Sequence, residues 1–187
     1  MDLFATFFKI GLTHIVEGYD HLLFLLALII VTKETKSLLS VISAFTIAHS
    51  TTLILSALGI LSLPPELTES LIALSIVYVA LENIIRPNPK GRWIVAGSFG
   101  LIHGAGFSGH LTEILKGMLQ GGNIWYPLIG FNVGIEAGQL IVIAVTLPLL
   151  ALVRKYNKEE VFVHEISRVI AAVGAVLLVW RAFGINS

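Results

Sequence analysis

The sequence predicts an all-α polytopic membrane protein, a six-helix transmembrane bundle with both termini outside. Three observations carry that prediction. Of the 187 residues, 56% are hydrophobic and only 13% are charged, whereas soluble domains carry about 25% charged residues; mean hydropathy is +0.88. Apolar segments close to the length a bilayer requires, about 20 residues at roughly 1.5 Å rise each, recur along the whole chain. Lys and Arg concentrate in alternate connections. Helices follow rather than strands because an open sheet cannot satisfy its backbone in lipid.

The elements follow in order. Leu3 to Leu12 reads as a retained amphipathic or interfacial segment, since Asp2 comes first, the only early Lys is Lys9, and no small-x-small cleavage site follows. The first span runs from about His14 to Thr32 and includes the uncharged run Leu22 to Val31, which is assigned to lipid. The second runs from Ser37 to Leu58. After the Leu63-Pro64-Pro65 break, Glu66 opens a third span that ends near Ile85, before Arg86-Pro87-Asn88-Pro89. Glu66 and Glu69 favour that helix's N-terminus through the macrodipole, and Glu82 is expected to pair with Arg86 one turn on. The fourth span covers Trp93 to Leu115, with Gly100, Gly104, Gly106 and Gly109 thinning one side. Gly117 to Gly122 separates it from the fifth, Trp125 to Val153. The polar Arg154 to Glu160 loop precedes the last, Phe162 to Phe183. Residues 1–187 thus form a single integral membrane domain with no room for a separate soluble one.

Charge sets the orientation. Lys33 and Lys36 follow the first span, Arg86, Lys90 and Arg92 the third, and Arg154, Lys155 and Lys158 the fifth, while the opposite side offers only Lys9, Lys116 and Arg181. The excess marks those three loops as cytoplasmic. The formal net charge of +0 argues against nucleic acid as a partner. There is no cysteine, so a metal site must use nitrogen and oxygen ligands.

The polar residues inside this apolar chain carry the chemistry. His14, Glu17, Asp20 and His21 stand immediately ahead of the apolar run, and ionisable groups beside a bilayer core are expensive and call for a function. On one continuous helix His14, Glu17 and His21 would share a face. Imidazole suits nickel, zinc and copper, and carboxylate can complete the shell. His49 lies mid-span among Thr46, Ser50, Thr51 and Thr52, where a histidine also serves as helix-packing glue. The fourth span carries His103 and His110, and the fifth aligns Asn132, Glu136 and Gln139 on one face. A buried carboxylate such as Glu136 needs a partner, a metal or a proton. By depth, these residues form a ladder from the outer surface to mid-membrane, as a divalent-cation path requires.

The His-x5-Asp-His pattern at His14, Asp20 and His21 resembles the signature of the HupE/UreJ family, hydrogenase and urease accessory membrane proteins regarded as nickel or cobalt permeases. Ala44-Phe-Thr-Ile-Ala-His-Ser50, Ala80-Leu-Glu-Asn83, Phe99-Gly-Leu-Ile-His-Gly104 and Phe131-Asn-Val-Gly-Ile-Glu-Ala-Gly-Gln139 extend the resemblance, in family order, to its second branch. Gly106 stands where the better-studied branch has a histidine. The resemblance implies His14, Asp20 and His21 as essential metal-handling residues.

The expected function is therefore binding and inward transport of a divalent transition metal, nickel first and cobalt or zinc otherwise, across the bacterial inner membrane. His14, Asp20 and His21 would capture the ion with help from Glu17, and His103, Glu136 and His49 would form a deeper site, with His110 near the outer surface. Neutral imidazole is the ligating form, so acidification should weaken binding. The alternative from another class is an intramembrane zinc-dependent hydrolase, with Glu136 or Asp20 as general base. The glycine-rich fourth span suits a homo-oligomer interface as well as an internal contact.

Overall fold

The structure is a computed structural model that describes residues 2–32, 34–86, 91–106, 125–156 and 159–184. The described residues form seven α-helices and no strand: α1 Leu3–Glu17, α2 Tyr19–Ile29, α3 Thr35–Ala57, α4 Pro65–Ile85, α5 Arg92–Ala105, α6 Trp125–Lys155 and α7 Glu159–Ala182. α3, α4, α6 and α7 are each long and apolar enough to cross a membrane, and α1 with α2 meets the same test as a pair bent by 69°. The described part of α5 has 14 residues. The rest of the expected fourth span, 107–115, and the glycine-rich tract after it lie outside the described residues.

The helices pair α1 with α6, α3 with α5, and α4 with α7. Small residues permit this closeness, as they do where lipid supplies no hydrophobic drive between helices. Along α6, Gly130, Gly134 and Gly138 recur every four residues and face α1. A Cβ on Gly130 would lie 2.6 Å from the Phe4 carbonyl oxygen, and one on Gly134 would overlap that of Phe8. Gly104 does the same for α5 against the carbonyl of His49 on α3. Polar side chains add hydrogen bonds between α3 and α6: Thr46 Oγ1 donates to Gln139 Oε1 at 2.9 Å, and Ser50 Oγ donates to Asn132 Oδ1. Large apolar side chains such as Ile129, Leu140, Val145 and Leu149 on α6, and Val169 and Val176 on α7, remain exposed. An apolar surface of this extent suits lipid rather than water.

The first expected span is divided, and its second half is enclosed. At Gly18 the backbone leaves the helix (φ −76°, ψ 89°), its N–H capping α1 on the His14 carbonyl oxygen at 3.1 Å. A side chain there would lie 3.0 Å from His21 Nδ1, so the bend needs glycine. Beyond it, Phe24, Ala27, Leu28, Ile29 and Ile30 are each at most 1% exposed. The run Leu22 to Val31 therefore faces protein rather than lipid. A short helix that is apolar on all sides reads the same from sequence in either surrounding, and its 11 residues are too few to span a bilayer.

At the far end of α2 a polar tie fastens three helices. Arg92, the first residue of α5, is 4% exposed, and its Nη2 donates to Ala27 O at 2.9 Å and to Asn83 Oδ1 at 2.6 Å. Asn83 Nδ2 donates to the same carbonyl at 2.8 Å. Glu82 lies 3.6 Å from Arg92 Nη1, in place of the expected pairing with Arg86. Arg86 caps α4 through its backbone N–H on the Glu82 carbonyl oxygen at 2.7 Å, and its side chain is exposed.

Candidate metal centre

Four helices each deliver one histidine to a common place. The break at Gly18 folds α2 back so that the rings of His14 and His21 meet at 4.4 Å between centroids. His49 stands 6.1 Å from His14 and 6.0 Å from His21, and His103 stands 5.0 Å from His21. The close approach at Gly104 seats α5 against the backbone of His49, which is what carries His103 into the group. His49 and His103, expected at a deeper site, thus stand beside His14 and His21.

Aromatic rings wall it. Phe24 and Phe45 lie 4.8 and 5.3 Å from the His103 ring, Phe45 also stacks on His49 at 5.7 Å, and Phe131 lies 5.9 Å from His14. A small apolar cavity continues from His21 past Phe24, Leu28, Val41 and Phe45, with Gln139 as its other polar residue.

Hydrogen bonds fix which nitrogen of two rings can accept. Asp20 Oδ1 accepts from the His21 backbone N–H at 2.9 Å and lies 3.1 Å from His21 Nδ1. A carboxylate there holds the proton on Nδ1 and leaves the lone pair on Nε2, the arrangement used by metal-ligating histidines. Ser75 Oγ donates its one proton to Ile72 O at 2.6 Å and is 3.0 Å from His103 Nε2. His103 Nε2 therefore donates to Ser75, and its lone pair sits on Nδ1. Those two accepting nitrogens, His21 Nε2 and His103 Nδ1, and both nitrogens of His49, are buried and have no hydrogen-bond partner. Buried polar atoms are normally satisfied, and a group of unpartnered imidazole nitrogens in one spot, one acceptor on each of His21, His49 and His103, fits a cation. Among the described residues no three His, Asp or Glu side chains are placed so as to hold a metal ion together. Ligation, at about 2.0–2.1 Å per nitrogen for a zinc-like ion, would take side-chain rotation within the cluster.

The carboxylates behave differently from the imidazoles. Asp20 Oδ2 pairs with Arg181 Nη2 at 3.1 Å, so both of its oxygens are engaged. Glu17 is exposed, because the chain turns at Gly18 instead of continuing the helix that would have aligned it with His21. Glu136 is exposed on α6, while Ile135 and Gln139 on the same helix are buried. His110 lies outside the described residues. Sequence reasoning missed Arg181, noted only as a loop charge, and Ser75 as the partner of His103. The signal for Ser75 was a hydroxyl sharing the buried face of α4 with Thr68 and Asn83; Arg181 gave none, because its partner Asp20 is far away in the chain.

Fold and centre together define a multi-pass membrane protein in which four helices bring together four histidines, three of them buried. The family model described as HupE / UreJ protein matches residues 1–183. The chain belongs to that family, a nickel and cobalt accessory or transport family. No curated protein and no solved structure matches the chain.

Proposed function

We propose that the protein binds a divalent transition metal, nickel first, at His14, His21, His49 and His103 and carries it across the bacterial inner membrane. The observation that carries this reading is the convergence of four imidazoles from four helices, with an accepting nitrogen left over on His21, His49 and His103. Imidazole nitrogens are well-matched donors for nickel, cobalt and zinc, and a transport site must bind well enough for the ion to enter and still let it leave. Asp20 and Ser75 act behind the ligands, orienting His21 and His103. Six crossings with both termini outside remain our topology, and it sets the cluster near the outer face. Beside it Phe24 and Phe45 line the small cavity that continues from His21. No observation favours the hydrolase: of its two expected bases, Glu136 is exposed on α6 and Asp20 is paired with Arg181.

The test is uptake. Vesicles loaded with the purified protein and an internal metal-sensitive dye should accumulate Ni2+ or Co2+ with time, and protein-free vesicles should not. A tightly held stoichiometric ion with no inward flux would overturn the transport reading. Ser75→Ala removes the acceptor that fixes the His103 tautomer, and metal affinity measured by calorimetry should fall about 10-fold, as for other groups hydrogen-bonded to ligands. An unchanged affinity would show that His103 needs no such support.

A further inference from the structure

The charged pair behind the cluster links helices far apart in the chain. Arg181, in the last turn of α7, places Nη2 3.1 Å from Asp20 Oδ2. The same guanidinium donates from Nη1 to the Glu69 carbonyl oxygen at 3.2 Å and holds Nε 3.8 Å from the Glu69 carboxylate. Its side chain is 11% exposed and that of Asp20 17%, whereas that of Glu69 is 55% exposed. One cation therefore bridges an enclosed carboxylate at the cluster and a solvated one at its margin.

We infer that Arg181 is the counter-cation of the histidine centre, neutralising Asp20 and competing with the divalent ion for that carboxylate. The inference rests on the metal-binding reading above. Two features support competition over simple bracing. Asp20 Oδ1 is already held by the His21 backbone N–H and faces Nδ1, so Asp20 keeps its place without Arg181. Arg181 also has a second anionic seat at Glu69, so a dication drawing on Asp20 leaves the guanidinium paired. With Arg181 on Asp20, the ion meets four neutral rings and a cancelled charge, and it binds weakly enough to leave. Without Arg181, a full negative charge stands directly behind His21 in surroundings that screen it poorly.

Titration of the full-length protein in detergent with Co2+, read by the ligand-field absorption of the bound ion, tests this. Arg181→Gln should bind Co2+ at least about 10-fold tighter than the native protein, and Arg181→Lys should stay near native. In an Asp20→Asn background, Arg181→Gln should make no difference. Glu69→Gln, a change at an exposed side chain, removes the second seat and should weaken binding severalfold; it decides the matter if Arg181→Gln does not fold. Unchanged or weaker binding by folded Arg181→Gln, or unchanged affinity in Glu69→Gln, overturns the counter-cation role. Absence of any Co2+ absorption in the native protein overturns the metal-binding reading, and this inference with it.

Discussion

His21→Ala is expected to reduce metal affinity by more than about 100-fold and to abolish uptake into vesicles. His21 is the hub of the cluster, with its ring within 4.4, 5.0 and 6.0 Å of those of His14, His103 and His49. It is also the ring that Asp20 orients, so one substitution removes a donor and disconnects the carboxylate behind it. Loss of a partner hydrogen-bonded to a ligand already costs about 10–100-fold in affinity, and loss of the ligand itself should exceed that. Stability should suffer much less. The cavity left by the ring destabilises, while deleting a buried acceptor with no partner relieves a desolvation penalty. Calorimetry and a thermal melt on the same preparation separate the two effects. Native affinity in a folded His21→Ala protein would remove the cluster from consideration as the binding site.

The largest effect on stability is expected at Arg92, remote from the cluster. Arg92→Ala should destabilise the protein by about 3–5 kcal/mol, the usual result of removing one partner of a buried charged network. It strands the Glu82 carboxylate and removes donors from Asn83 Oδ1 and Ala27 O, so the end of α2 loses its fastening to α4 and α5. Arg92→Lys should restore little, because an ammonium supplies a point charge without the fork that reaches Ala27, Asn83 and Glu82 together. Combining Arg92→Ala with Glu82→Gln should recover part of the loss by removing the stranded charge. The midpoint of unfolding in detergent checks all three, and a native midpoint for Arg92→Ala would show that α2 is held by packing alone.

Much of the candidate site was legible in the residues. His14, Asp20, His21, His49 and His103 drew notice because ionisable groups among apolar neighbours are costly in or near a membrane, and four of the five are the imidazoles that meet. The reading of Glu17 was limited by geometry: it assumed one continuous helix through Gly18, and a 69° bend follows that residue. Glu136 was read from helical spacing with Asn132 and Gln139. Those two do reach α3, through Ser50 and Thr46, while Glu136 at the edge of the same stripe is exposed. Arg181 could not be found by pattern at all, since its partner Asp20 is 161 residues away.

Membrane class, helical character and the order of the apolar segments were present in the chain's own composition and periodicity, because hydropathy and turn chemistry act over a few neighbouring residues. Packing settled the rest. An uncharged run such as Leu22 to Val31 is as well accommodated in lipid as in a protein interior, so its burial depended on which helices closed around it. The meeting of four histidines likewise depended on the bend at Gly18 and on the closeness of α5 to α3 at Gly104. Those are relations between helices, and no spacing along one helix encodes them.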